Sequence, residues 1–314
     1  MMTGTRAPTS AHEEEATPMT YLGIEAGGTK FVCGLGTGPD ALAEVTTFPT
    51  TTPEQTIART RDYVRAHAGD VRAIGVASFG PLDLDRSSAT YGFITSTPKP
   101  GWVSTDVVAP LRAEVDVPIG FDTDVNGAAL AESRWGAATD VDSCVYITVG
   151  TGIGGGGVID GRLLHGLLHP EMGHLIVRRE TNDAYAGACS YHGDCLEGMA
   201  SGPAIASRWG TPGQDLTGQQ LTAAVDLEAG YLAQMAAAIT YLLSPERLIF
   251  GGGVLHLGGL LDALRARTVD LLNGYIDVAA ITEHSDRYIV RPELGDHAGL
   301  LGAIALAADA DAQR

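Results

Sequence analysis

Two cysteines and a histidine share seven consecutive residues of this chain, Cys189-Ser190-Tyr191-His192-Gly193-Asp194-Cys195, and another histidine, His174, stands upstream. Thiolate and imidazole are donors that Zn²⁺ favours, and four of them make a closed tetrahedral site. His174, Cys189, His192 and Cys195 are therefore the expected ligands, with His165 and His169 as rivals for the fourth place. A second segment, Phe121-Asp122-Thr123-Asp124-Val125-Asn126-Gly127, precedes an Ala-rich helical pattern. A carboxylate there can take the proton of a hydroxyl nucleophile, yet Asp124 or Asn126 can equally serve to cap the helix. The segment alone favours the cap.

Three glycine-rich segments each follow an apolar run: Gly27-Gly28-Thr29-Lys30, Gly150-Thr151-Gly152-Ile153-Gly154 continuing to Gly157, and Gly251-Gly252-Gly253. Glycine lets backbone N–H groups approach a ligand with no Cβ in the way, so each is a candidate phosphate cradle. Hairpin turns use glycine for steric reasons too, and the three weigh more together than singly. Neither a Walker A loop nor a dinucleotide-binding GxGxxG unit fits. The turn at Gly27 to Lys30 leads into the apolar run Phe31 to Leu35, a strand, where those motifs require a helix.

Strands and helices in alternation must position these segments. Tyr21 to Ile24 and Phe31 to Leu35 read as one hairpin, and Cys144 to Val149 with Val158-Ile159 as a second of similar design. A duplicated architecture is expected. Thr56 to Ala68 and Gly127 to Trp135 read as helices, and Ile74 to Ala77 as a buried strand. A loop-rich stretch, 166–213, carries two of the four cysteines. Leu221 to Leu243 then reads as a long helix ended by Ser244-Pro245, followed by a strand at Arg247 to Phe250 and helices at Leu257 to Leu272 and His297 to Ala308. The class is α/β.

At 314 residues the chain exceeds what one hydrophobic core usually holds, so two lobes are expected. The net charge of −18 repels polyanions and argues against a nucleic-acid partner, although backbone amides or a divalent metal can still hold a nucleotide's phosphates. No apolar run is long enough for a membrane span, which argues against a membrane partner. Four cysteines in so long a chain do not form a disulfide framework, and a reducing cytoplasm is the expected compartment. Residues 1–20 contain Glu13-Glu14-Glu15 among Thr, Ser, Pro and Ala, read as a disordered tail, and lack the pattern of a signal peptide. Met19, just before the first strand, is an alternative start.

Taken in order, Gly23-Ile24-Glu25-Ala26-Gly27-Gly28-Thr29-Lys30, Asp122-Thr123-Asp124-Val125-Asn126, Gly150 to Gly156, Glu171-Met172-Gly173-His174 and Cys189 to Glu197 resemble the ROK sugar kinases over nearly the whole chain. The Cys-x-x-His-x-x-Cys spacing, Glu25 and the stretch Tyr91 to Trp102 resemble the family's fructokinase branch. The resemblance implies two actin-like (RNase-H-like) lobes with ATP and sugar in the cleft between them: residues 21–125, with the helix 297–308 packing back, and residues 126–296, with the zinc loop 166–213. It implies nucleotide contacts at Gly27, Gly28, Thr29, Gly150, Thr151, Gly152 and Gly154, adenosine near Gly251, Gly252 and Gly253, and Lys30 as a helper. Asp124 matches the family's catalytic base. Glu171, His174 and Glu197, with Asn126, match sugar contacts, His174 using its second ring nitrogen for Zn²⁺. The implied reaction is transfer of phosphate from ATP, with Mg²⁺, to a hexose, fructose first, by a homodimer.

The main alternatives are a glucokinase or mannokinase of the same family, and a sugar-binding protein without catalysis. A sugar-responsive repressor is disfavoured, because about 20 acidic, Pro-containing residues precede Tyr21 where a DNA-reading helix pair would be needed.

Overall fold

The computed structural model describes residues 20–69, 71–181 and 183–314. The expected tail lies outside them apart from Thr20, which opens the first strand.

Strands β1 (Thr20–Ala26), β2 (Lys30–Gly36) and β3 (Ala43–Pro49) form a meander, followed by α1 (Pro53–Ala66) and β4 (Val71–Ser78). A two-stranded ribbon, β5 (Phe93–Ile94) with β6 (Thr105–Asp106), and the short α2 (Ala109–Arg112) lead to β7 (Ile119–Thr123) and α3 (Asp124–Trp135). These five longer strands make one sheet in the order β3-β2-β1-β4-β7. The meander is antiparallel, and β4 runs parallel to both β1 and β7.

The pattern then repeats. Strands β8 (Cys144–Val149), β9 (Ile153–Ile159) and β10 (Arg162–Leu163) form a second antiparallel meander. Helices α4 (Leu196–Ala200), α5 (Gly202–Trp209) and α6 (Gly218–Leu243) precede β11 (Arg247–Gly251). Helices α7 (Leu260–Leu272), α8 (Ala279–Thr282) and α9 (Ser285–Tyr288) lead to β12 (Ile289–Val290), and α10 (Ala298–Ala312) closes the chain. The second sheet has the order β10-β9-β8-β11-β12, with β11 parallel to β8 and β12. Strand for strand, this is the order and direction of the first sheet, the duplication expected from the two Gly-rich hairpins.

Parallel strands need crossovers that cover the sheet faces, so the central strands read as continuous apolar runs. In β4 seven of eight residues are buried. Helix α10 lies on β1, β4 and β7, and the approach is close enough that a Cβ at Gly75 would sit 1.7 Å from the Ala303 carbonyl oxygen. Helix α3 packs against α10 on one side and β8 and β9 on the other. A Cβ at Gly156 of β9 would lie 2.4 Å from the Asn126 backbone nitrogen. Helix α3 is thus wedged between the two sheets, and Asp124 is its first residue. No helix among the described residues is long and apolar enough to cross a membrane.

The stretch read as loop, 166–213, holds α4 and α5 as well as irregular chain. The sequence carries a signal for α5: Ser201 caps it, accepting a hydrogen bond from the Ala204 N–H, Pro203 stands in its first turn, and Gly210 ends it in the left-handed region.

Candidate active site

A cleft of about 590 Å³ opens between the two sheets. The first sheet's elements bring Gly28, Thr29, Thr97, Lys99 and Asp124 to its wall; the second's bring the turn Gly150 to Gly155 and the side chains of Glu171, His174 and Glu197.

Asp124 reaches the cleft because β7 ends and α3 begins there. The helix cap is Thr123, whose hydroxyl accepts from the Asn126 N–H at 3.1 Å. The expected cap at Asp124 or Asn126 is thereby corrected, and the Asp124 carboxylate is released from capping. One of its oxygens accepts from the Val125 N–H at 2.9 Å, which fixes the carboxylate's orientation. Burial, reinforced by the negative charges of Glu25 and Glu171, pushes its pKa up to about 7. A carboxyl poised there can take up and return a proton near neutral pH.

Glu171 precedes the turn Met172–His174, and burial together with the Glu197 charge pushes it up to about 7 as well. Glu197 is the second residue of α4; its Oε2 accepts from the Ile153 N–H at 2.9 Å, tying α4 to the start of β9. Cys195 stands at the N-cap position of α4, so Cys195 and Glu197 are delivered by one turn of chain.

The ligand atoms of His174, Cys189, His192 and Cys195 all lie within 4.8 Å of one another. His174 Nδ1 is 3.8 Å from Cys189 Sγ and 3.5 Å from Cys195 Sγ, and His192 Nδ1 is 3.7 Å from Cys189 Sγ. Ligands of a tetrahedral Zn²⁺ with ordinary bond lengths sit about 3.6 Å apart for a sulfur–nitrogen pair, so this donor set fits the ion. Because Nδ1 of His174 faces the cluster, Nε2 is its remaining ring nitrogen, and the side chain lines the cleft. The rival ligands are engaged elsewhere. His165 Nε2 lies 2.7 Å from Asp122 Oδ2, and His169 Nε2 accepts from the Leu82 N–H at 2.9 Å.

Of the glycines, Gly28 and Gly150 both line the cleft, and a Cβ on either would meet no atom within 4 Å. Neither packing nor a positive φ demands glycine there, which leaves ligand approach as the physical reason for it. Gly152 and Gly154 line the cleft with Thr151. Gly27 does not; its N–H closes the turn onto the Lys30 carbonyl at 3.0 Å. Lys30 is exposed at the outer start of β2 and does not line the cleft. Gly251, Gly252 and Gly253 also lie off its wall, and Gly252 has its own reason to be glycine: φ is 88° and a Cβ would sit 2.4 Å from the Val149 carbonyl oxygen.

Asn126 is not brought to the cleft. Its side chain is fully buried, donating from Nδ2 to Asp122 Oδ1 at 2.8 Å and accepting at Oδ1 from the Gly157 N–H at 3.2 Å. Among the cleft residues outside the expected site are Thr97, Lys99 and, as a cleft wall, His169. The first two come from a turn anchored by Trp102, a buried ring whose Nε1–H donates to the Thr51 carbonyl at 2.9 Å.

The ROK family model matches residues 21–310. The fructokinase of Zymomonas mobilis is 45% identical over 296 residues, covering 93% of this chain and 97% of that protein. The fructokinase of Streptococcus mutans is 40% identical over 291 residues, 91% of this chain and 97% of that one. Among solved structures, the ROK hexokinase from Thermus thermophilus superposes with a TM-score of 0.74 at 27% identity, covering 94% of this chain and 100% of its own. With the family model spanning both sheets and the helix wedged between them, this chain belongs to the ROK family.

Proposed function

We propose that the protein is an ATP-dependent hexose kinase that converts fructose to fructose 6-phosphate. The observation that carries this reading is the cleft itself: Asp124, its carboxylate held by the Val125 N–H, stands between two open glycine turns and a group of three hydrogen-bonding side chains, Glu171, His174 and Glu197. The substrate is drawn from the relatives, which are fructokinases at 45% and 40% identity along nearly their whole length.

Phosphoryl transfer asks a protein for positioning and charge neutralisation more than for covalent chemistry. Backbone N–H groups around Gly28, Thr29, Gly150 and Gly152 receive the triphosphate. The nucleotide would arrive as its Mg²⁺ complex, the metal supplying charge neutralisation. Glu171, His174 Nε2 and Glu197 orient the sugar through its hydroxyls. Asp124, held by the Val125 N–H, accepts the proton of the primary hydroxyl as that oxygen attacks the γ-phosphorus and the β–γ bridging oxygen leaves with ADP. His174, Cys189, His192 and Cys195 would hold Zn²⁺; a bound ion would stiffen the loop, and with Nδ1 on the metal His174 would present its Nε2–H to the sugar. The free cysteines support a cytoplasmic enzyme, and family resemblance supports a homodimer.

Incubating the protein with fructose, ATP and Mg²⁺ and following ADP release tests the reading. Sugar-dependent ADP release with phosphate on the 6-hydroxyl is expected. Tight binding of fructose with no ADP release would instead favour a sugar-binding protein without catalysis.

A further inference from the structure

Two histidines that the reaction does not use reach from the second sheet's chain onto the first. The segment after β10 starts on the second sheet, where the Leu164 N–H donates to the Gly157 carbonyl at 2.8 Å. It ends at the cluster containing His174. Between these points it crosses to the other half of the molecule twice. His165 Nε2 meets Asp122 Oδ2 of β7 at 2.7 Å, and a carboxylate accepts only, so Nε2 carries the proton. His169, 6% exposed, accepts at Nε2 from the backbone N–H of Leu82, just past β4. That bond fixes the opposite tautomer, with the proton on Nδ1, 3.5 Å from Glu171 Oε1.

The first contact closes a network at the root of Asp124. Asp122 also accepts from the Thr123 N–H at 2.7 Å and from Asn126 Nδ2, while Asn126 reaches Gly157 of β9. The second contact sits two residues before Glu171. Resting on the kinase reading, we propose that His165 and His169 are positioning residues that clamp the Glu171 segment to the first sheet. The clamp sets the sugar-orienting carboxylate against Asp124, so that when the cleft closes Glu171 keeps station with the base and does not travel with the zinc loop.

The network meets the second glycine-rich segment only at Gly157, in β9 beyond the turn that lines the cleft, so its loss should register on the sugar and not on the nucleotide. In the full chain, His169→Ala leaves a buried N–H with no acceptor. It is expected to raise KM for fructose at least about tenfold and to lower kcat, with KM for ATP within about twofold of the parent. His165→Ala is expected to do the same. Glutamine should restore most of the loss at both positions for opposite reasons: its amide oxygen accepts from Leu82 at 169, and its NH₂ donates to Asp122 at 165. The glutamine variants also keep the test valid if an alanine variant folds poorly. Parent turnover together with unchanged fructose KM in both alanine variants would overturn the clamp. So would equal loss on fructose and ATP, or glutamine that fails to restore. A parent protein without fructose turnover would overturn the kinase reading instead.

Discussion

Replacing Asp124 by Asn separates chemistry from architecture at a single atom. The helix cap belongs to Thr123, and Asn keeps an Oδ1 to accept from the Val125 N–H, so α3 should start where it does now. What is lost is the proton acceptor. General-base catalysis contributes typically about 10²- to 10⁴-fold, and the loss should appear in kcat. Stability should move the other way. The carboxyl is pushed up to about 7, so the folded chain holds this proton more tightly than the unfolded chain. The stabilisation from holding it is fully present at acid pH and is lost as pH rises through 7, where an ionised carboxylate is buried beside Glu25 and Glu171. Holding that proton is worth about 4 kcal/mol at most, and water in the open cleft reduces this to on the order of 1–2 kcal/mol. At pH 8 the Asn variant should therefore melt at or a few degrees above the parent. Steady-state ADP release across the neutral range, alongside thermal melts, measures both effects. The parent's kcat/KM should fall as pH drops below about 7, and the variant should show a shallower limb, keeping only the part that Glu171 contributes. A variant that keeps more than a tenth of the parent's kcat, or a lower Tm with normal turnover, would refute the assignment.

Other substitutions probe the remaining parts. Thr123→Ala should cost about 1 kcal/mol, seen as a lower Tm that Thr123→Ser largely restores. Gly28→Ala should fold normally, since its Cβ meets nothing, yet raise KM for ATP about tenfold by intruding on the triphosphate. Gly252→Ala should show the reverse, a destabilisation of more than about 1 kcal/mol measured by denaturant melts, because of its φ of 88° and the Val149 carbonyl. Metal analysis should find one Zn²⁺ per chain, and Cys195→Ser should lower Tm and raise KM for fructose while sparing KM for ATP.

Much of this molecule is legible in its sequence because its strongest patterns are local. The helix at Leu221 to Leu243 and the two Gly-rich hairpins appear where periodicity and turn residues put them. The Cys–His cluster is equally accessible, since three of its four residues lie within one short loop. Asn126 shows where local reading fails. Residues two apart on a helix project about 200° from one another, so when Asp124 faces the cleft Asn126 must face β9. Lys30 fails for another reason: it is the exposed first residue of β2, at the strand's end, whereas Phe31 to Gly36 are buried on both faces. β7 carries no clear strand pattern in the sequence, because its last residues, Asp122 and Thr123, are polar. They are buried by a network with Asn126 and His165 that no local window contains. His169 and Lys99 enter the cleft through long-range packing alone, and no spacing in the chain announces it.

The central claim is tested most directly by a panel of hexoses, each assayed with ATP and Mg²⁺ for kcat/KM. The account predicts that fructose gives the highest value, with mannose as a secondary substrate and glucose lower by at least about tenfold. A kcat/KM for glucose at least tenfold above that for fructose would contradict it.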